Sequence, residues 1–247
     1  MAMDSKAFAI GLVQEAHQFA TENGPKVLRK IQEPMRGEKL ARWMHSIAWR
    51  EFKLSDALIK MLATVPDQDR DLRYLLATQL MDEYNHARLW SERIKSMGYD
   101  WGDPENYTPT EEEWTFYRVT GAGDHLQHPA EVASALNCSG EVWASVYLGL
   151  VANPKRPLVE EGTAEMIRDG ILNEANTTYS DSLVDPETAR MIEEKINPDE
   201  GRHIRIGRLI IERYATTDEL QARCRAAFDE KLKELTVSHS GLLENVG

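Results

Sequence analysis

Apolar residues recur along this chain at intervals of three and four and almost never alternate, which is the pattern of helices and not of strands. A first helix is predicted over 5–22, stopping at Asn23-Gly24. Gly37 precedes a strong helix over about 38–64, closed by Val65-Pro66-Asp67, and another follows over about 68–97 with Gly98 as its C′ glycine. Residues 99–128 are rich in Gly, Pro, Asn and Asp around a short helical piece, Glu111–Tyr117. Further helices are predicted over about 130–152, 162–182, 186–214 and 217–235, with a loosely held tail. Asp185 and Pro186 suit the N-cap and first-turn positions of the 186–214 helix.

The fold class is therefore all-α. The connections near 65–67 and 183–185 are short, so each demands an antiparallel helix pair. Two such pairs joined by a long crossover make a four-helix bundle, with the 130–152 helix as the crossover and extra helices at both ends. No linker divides the chain, so residues 1–247 are expected to form one domain.

The apolar stripes carry unexpected chemistry. One reads Leu40, Met44, Ile47, Glu51, Leu54, Leu58, Met61. The next reads Leu72, Leu76, Gln79, Glu83, His86, Trp90, Met97, and a third Ile192, Ile196, Glu200, His203, Gly207, Ile210, Tyr214. Ionisable groups thus sit at mid-length on core-facing stripes, where an isolated charge would cost many kcal/mol. Metal ions would remove that cost. Glu83/His86 and Glu200/His203 have E-x-x-H spacing, which puts both side chains on one helix face one turn apart. Glu51 lies about as far before the first short turn as Glu83 lies after it, so the two stand level at ~1.5 Å per residue. Carboxylates with imidazole favour Fe or Mn over zinc.

The fourth carboxylate is open. Glu174 follows Ile167 and Ile171 on a stripe, but it misses the level of Glu200 by roughly 7 Å. A kink or bulge at Asn197-Pro198 would absorb the mismatch. Glu141 and Glu165 are the rivals, Glu141 also as an additional ligand.

Charge changes this picture little. With 29 Lys and Arg against 41 Asp and Glu, the net charge of −12 argues against nucleic acid or anionic lipid as a partner. Part of that acidity belongs to the candidate metal site. No run of about eighteen apolar residues exists, so no membrane span is expected. The apolar run Ala7–Val13 is cut short by Gln14 and Glu15 and reads as a helix face, not a signal peptide. Cys138 and Cys224 are far apart and lack metal-type spacing, which suits a reducing cytoplasm.

Both motifs extend to D-E-x-x-H, as Asp82-Glu83-Tyr84-Asn85-His86 and Asp199-Glu200-Gly201-Arg202-His203. Over roughly 38–214 the chain resembles the ferritin-like di-iron carboxylate superfamily, and within it the bacterial methane and toluene monooxygenases. The stretch Met81–Trp90 is also similar to phenylacetyl-CoA epoxygenase subunits. The resemblance implies a pair of Fe ions (Fe/Mn or Mn/Mn being variants) held by Glu51, Glu83, His86, Glu174, Glu200 and His203. It implies that Asp82 and Asp199 orient the histidines. It also places Thr177 and Thr178, one turn after Glu174, beside the O2 site.

Departures narrow the activity. Trp90 stands where the ribonucleotide reductase small subunit has its radical Tyr, and Ile196 where arylamine N-oxygenases have a His. The expected function is an O2-dependent oxygenase of a small organic substrate, fed with electrons by a reductase or ferredoxin, and a homodimer. Ferroxidase-type iron handling and manganese catalase are the alternatives. Trp43, Phe52, Trp90, Trp143, Tyr147 and Tyr179 are candidate pocket walls.

Overall fold

The computed structural model of the protein describes residues 2–117, 126–155 and 181–245. Among these the regular structure is entirely helical, without a strand. The helices are α1 (Ser5–Leu28), α2 (Gly37–Thr64), α3 (Arg70–Ser96), α4 (Glu111–Tyr117), α5 (129–152), α6 (186–214) and α7 (Asp218–Asn245). α5 and α6 each contain one widened π-type turn, Leu136–Glu141 in α5 and Ile192–Ile196 in α6.

Local sequence accounts for most boundaries. α3 ends in a Schellman motif: Tyr99 N–H donates to Ile94 O and Gly98 N–H to Lys95 O, with Gly98 at φ 89° as expected of a C′ glycine. The Asp185 carboxylate accepts from the backbone N–H of Glu187 and Thr188 at 3.0 Å, capping α6, and Pro186 takes the first turn. The bulge expected near Asn197-Pro198 is present. Pro198 cannot donate to a carbonyl one turn back, and Asn197 N–H reaches five residues back to Ile192 O.

Two termini differ from expectation. α1 runs on to Leu28 through Asn23-Gly24-Pro25, because Gly24 is buried against Leu150 and Val146 of α5 and serves close helix approach, not a turn. Asn23 Nδ2 donates to Phe19 O within the same turn. α7 extends to Asn245 instead of loosening after 235. Leu235, Ser238 and His239 are buried, and Arg50 of α2 donates to Ser238 Oγ at 3.0 Å.

Four helices close a ring, α2 on α3, α3 on α6, α6 on α5 and α5 on α2. Contacts between α3 and α6 march in opposite directions, from Asp69–Tyr214 through Asp82–His203 and His86–Asp199 to Arg93–Asp185. α2 and α5 are likewise antiparallel, with Trp43 bonded to Tyr147 and Glu51 beside Glu141. α3 and α5 therefore run parallel, and residues 97–128 carry the chain from one end of the ring to the other. This corrects the crossover role expected of the 130–152 helix. Every residue from 129 to 143 is buried, Glu131, Asn137 and Glu141 included, because other helices surround this one. α1 packs outside α5 and α6, and α7 packs outside α4 and α5. One cluster of buried apolar side chains runs through all of these long helices.

α5 and α6 meet at Gly207, where an added Cβ would collide with the Asn137 side chain. Gly207→Ala is expected to cost about 1–3 kcal/mol by overpacking. A thermal melt followed by far-UV circular dichroism checks this, with a lowered Tm and unchanged helix content as the expected result.

Candidate metal centre

At mid-height of the ring, α2 contributes Glu51, α3 Glu83 and His86, α5 Glu141, and α6 Glu200 and His203. All six are buried, none more than 7% exposed. Ligand atoms of Glu51, Glu83 and His86 lie within 4.8 Å of one another, as do those of Glu83, Glu141 and His203. Glu83 belongs to both groups, so the geometry offers two adjoining cation positions with one carboxylate between them. Glu200 completes the ring, its Oε1 3.9 Å from His86 Nδ1.

The two histidines are held in the same way by opposite motifs. His86 Nε2 faces Asp199 Oδ2 at 3.2 Å, and His203 Nε2 faces Asp82 Oδ2 at 3.2 Å. Each leading Asp thus serves the histidine of the other motif, across the α3–α6 interface. Arg202 ties the two aspartates together, 2.6 Å from Asp82 and 2.8 Å from Asp199. A carboxylate on Nε2 keeps the proton there and turns the Nδ1 lone pair inward. Both Nδ1 atoms are buried without a hydrogen-bond partner, as are Glu83 Oε2 and Glu200 Oε2. Buried polar atoms are seldom left so. Four such atoms converging on one spot, all of them lone-pair donors, fit cations well.

The surrounding polar groups position the carboxylates. Gln79 Nε2 donates to Glu141 Oε1 at 2.9 Å, and Asn137 Nδ2 donates to Gln79 Oε1 and to His203 O, both at 2.9 Å. Trp90 Nε1 reaches Glu51 Oε1 at 3.4 Å, and the Trp90 ring stands edge-on to Trp43 with centroids 5.6 Å apart. The π-turn Leu136–Glu141 ends at Glu141. Such turns often occur at functional sites, because the extra residue re-aims a side chain.

Electrostatics express the crowding. Burial first, then the charge of Glu141, pushes the Glu83 and Glu200 carboxyls well above the usual carboxylate range. Burial also raises Glu51. Burial opposes ionisation of Glu141 too, but the nearby Glu200 carboxyl and the charge of His203, whose Nδ1 is 3.7 Å away, prevail and hold it at about 2. Burial disfavours the charged form of His203, yet Glu83, Asp82 and Glu141 raise it well above 6.5. The protein alone therefore neutralises the cluster with protons, in the places where cations would sit.

The sequence-predicted residues Glu51, Glu83, His86, Glu200 and His203 come together, and so does Glu141, the rival for the fourth position. Glu174, Glu165, Thr177 and Thr178 lie outside the described residues, as does the expected 162–182 helix except for its last two positions. Sequence reasoning missed Asn137 and Arg202. Asn137 is an amide one turn before Glu141 in a largely apolar helix, a signal that was available. Neither a protein-family model nor a curated protein sequence matches the chain. Among the described residues no helix is long and apolar enough to cross a membrane.

Beside the cluster lies a cavity of about 50 Å³, lined by Glu51, Glu141 and Glu200, by apolar residues of α2 and α5, and by Arg50 and His239.

The raised carboxyls give a pH prediction with a definite sign. A folded state that holds protons on Glu83, Glu200 and His203 beyond their unfolded values loses stability as pH rises through that range. Protein kept in chelator should have a lower urea midpoint at about pH 9 than at about pH 6, and added Mn(II) should shrink the difference by replacing protons. A midpoint that rises with pH in chelator would contradict it.

Proposed function

We propose that this protein is a non-haem di-metal oxidoreductase of the ferritin-like kind, an oxygenase that uses O2 to oxidise a small organic substrate. The observation that carries the reading is the pair of cross-braced histidines. Their inward Nδ1 atoms and four carboxylates, Glu83 shared between the two positions, form a six-ligand set drawn from four helices, the composition described for di-iron carboxylate bundles. The ring of antiparallel neighbours with its 97–128 crossover supports the same comparison, with Glu141 of α5 as the fourth carboxylate. Two ions held there, Fe or Mn, would supply the redox chemistry with O2.

The chain's own residues have separate tasks. Asp82 and Asp199 fix the imidazole tautomer, and Arg202 fixes the aspartates. Gln79 and Asn137 hold Glu141 against the return of α6. Burial of all six candidate ligands keeps bulk water away. The cavity beside Glu51, Glu141 and Glu200 favours an organic substrate over iron storage, because Ile47, Leu54, Leu136 and Leu148 give it hydrocarbon walls and the Arg50 cation in the same lining opposes passage of iron. Electrons would come from a reductase or ferredoxin.

Metal analysis after anaerobic reconstitution should give about two Fe or Mn per chain, and well under one would overturn the reading. Glu141→Ala should retain about one ion. Asp82→Asn and Asp199→Asn should each weaken metal affinity roughly 10- to 100-fold while leaving the helix content unchanged. Assembly into a large shell that mineralises iron without organic substrate would favour iron handling.

A further inference from the structure

The two adjoining cation positions have matching ligand sets. Glu83 belongs to both, and Glu200 stands between them, 3.9 Å from His86 and beside Glu141. One position adds Glu51 and His86, the other Glu141 and His203. The histidines are braced alike, each Nε2 lying 3.2 Å from an aspartate. Charge and donor type therefore do not distinguish the positions. What differs is the support behind the carboxylate that each has to itself.

Glu141 is held by a chain of amides. Gln79 Nε2 donates to Glu141 Oε1 at 2.9 Å and also reaches Glu83 Oε1 at 3.4 Å. Turned over, the Gln79 amide would aim its oxygen at Glu141 and lose the bond that its Oε1 accepts from Asn137 Nδ2 at 2.9 Å. Asn137 is fixed in turn. It donates to His203 O at 2.9 Å, and its Cβ lies only 2.2 Å from where a Cβ on residue 207 would stand, so Gly207 gives it room. Gln79 and Asn137 are both fully buried, and bulk water does not compete for these bonds. Glu83, Glu141 and His203 are thus joined to one network drawn from α3, α5 and α6.

Glu51 has no such chain behind it. The Trp90 indole meets its Oε1 at 3.4 Å, at the outer edge of hydrogen-bond range, and the carboxylate borders the cavity. A ligand already locked in place loses less freedom when an ion arrives than one that must be drawn in.

We propose that the two positions fill in a fixed order. Glu83, Glu141 and His203 take the first ion, and Glu51 and His86 take a second that is held more weakly and exchanges more readily. Gln79 and Asn137 are the positioning residues that set this order. The order rests on the metal binding proposed above, which is indifferent to sequence of filling, and not on the oxidative chemistry.

Zn(II) is the probe, because it is diamagnetic and accepts both imidazole and carboxylate. It is titrated into chelator-treated protein labelled with ¹⁵N-histidine, and the Nδ1 resonances of His86 and His203 are followed among the seven histidines. Through-bond correlations to the backbone assign them, and isothermal titration gives the affinity of each step. A second ion meets the charge of the first, so unequal steps alone do not identify the order. The histidine that responds does. His203 Nδ1 should move over the first equivalent and His86 Nδ1 over the second. In Gln79→Met the first-step affinity should fall roughly 10- to 100-fold while the second step changes little, and the two histidines should respond together. Far-UV circular dichroism should show unchanged helix content in that variant.

His86 moving first, both histidines moving together in the wild type, or a Gln79→Met variant that keeps the wild-type order would each overturn the proposal. Should the variant fail to fold, the order in the wild type decides alone. Zinc ligated by neither histidine removes the proposed metal binding and this order with it. Two ions bound in the reverse order, or in none, remove the order and leave the metal binding standing.

Discussion

Four carboxylates and two imidazoles enclosed in the middle of a helical ring impose the condition that the rest of this molecule satisfies. Four ionised carboxylates so close together and so far from water could not remain in a folded protein without compensating positive charge. Protons compensate in part, as the raised Glu83, Glu200 and His203 show. They do so poorly, because the inward Nδ1 atoms and two carboxylate oxygens still lack partners. Cations would satisfy all of them at once. The ring is held in register by side-chain pairs between α3 and α6: the Asp–His pairs at mid-height, the Arg93–Asp185 pair at 2.8 Å at one end, and Tyr214 on Asp69 at 2.7 Å at the other.

This condition explains which parts of the structure were legible in the sequence. Glu51, Glu83, His86, Glu200 and His203 interrupt otherwise apolar stripes, and an ionisable residue on a buried stripe is a visible anomaly. Spacing of three residues then places partners on one face. The crossover was not legible in the same way. Helix α5 has no single apolar stripe around Glu141, with small and polar residues before it and apolar ones after, so periodicity could not say which face met the site, and its two-turn neighbourhood reads equally well as an outer or a central helix. Its π-turn adds a residue to the turn that presents Glu141, which defeats any register counted at 3.6 residues per turn. α1 and α7 were cut short for a related reason. Gly24-Pro25 and the polar end of α7 look like stops locally, and only packing against α5 and the bonds to Arg50 keep both helices going.

The pseudo-symmetry of the two D-E-x-x-H motifs was half visible. The two Asp residues could be assigned to the histidines from chemistry, but not which Asp to which histidine. The antiparallel crossing of α3 and α6 instead brings residue 82 to residue 203 and residue 86 to residue 199. The exchange has a mechanical consequence. Neither histidine can be oriented unless both helices are docked, so the site cannot assemble on one helix alone, and Arg202 adds a single guanidinium that senses both pairings.

The symmetry ends at the walls, and that break carries the functional argument. On the α3–α6 side the cluster is backed by charged braces, Asp82, Asp199 and Arg202. On the other side it meets Trp90 of α3, Trp43 of α2 and Trp143 and Tyr147 of α5, the last two lining the cavity. A polar back and an aromatic front give the centre a direction: groups that tune ligand basicity stand behind the histidines, while the open space faces Glu51, Glu141 and Glu200. Carboxylates can shift between one and two contacts with a cation more easily than imidazoles braced from behind. A molecule in the cavity would thus meet the adjustable half of the ligand set, and the fixed half would hold the centre in place. That division of rigid and yielding ligands follows from which helix faces α5, whose residues 129–143 are all buried.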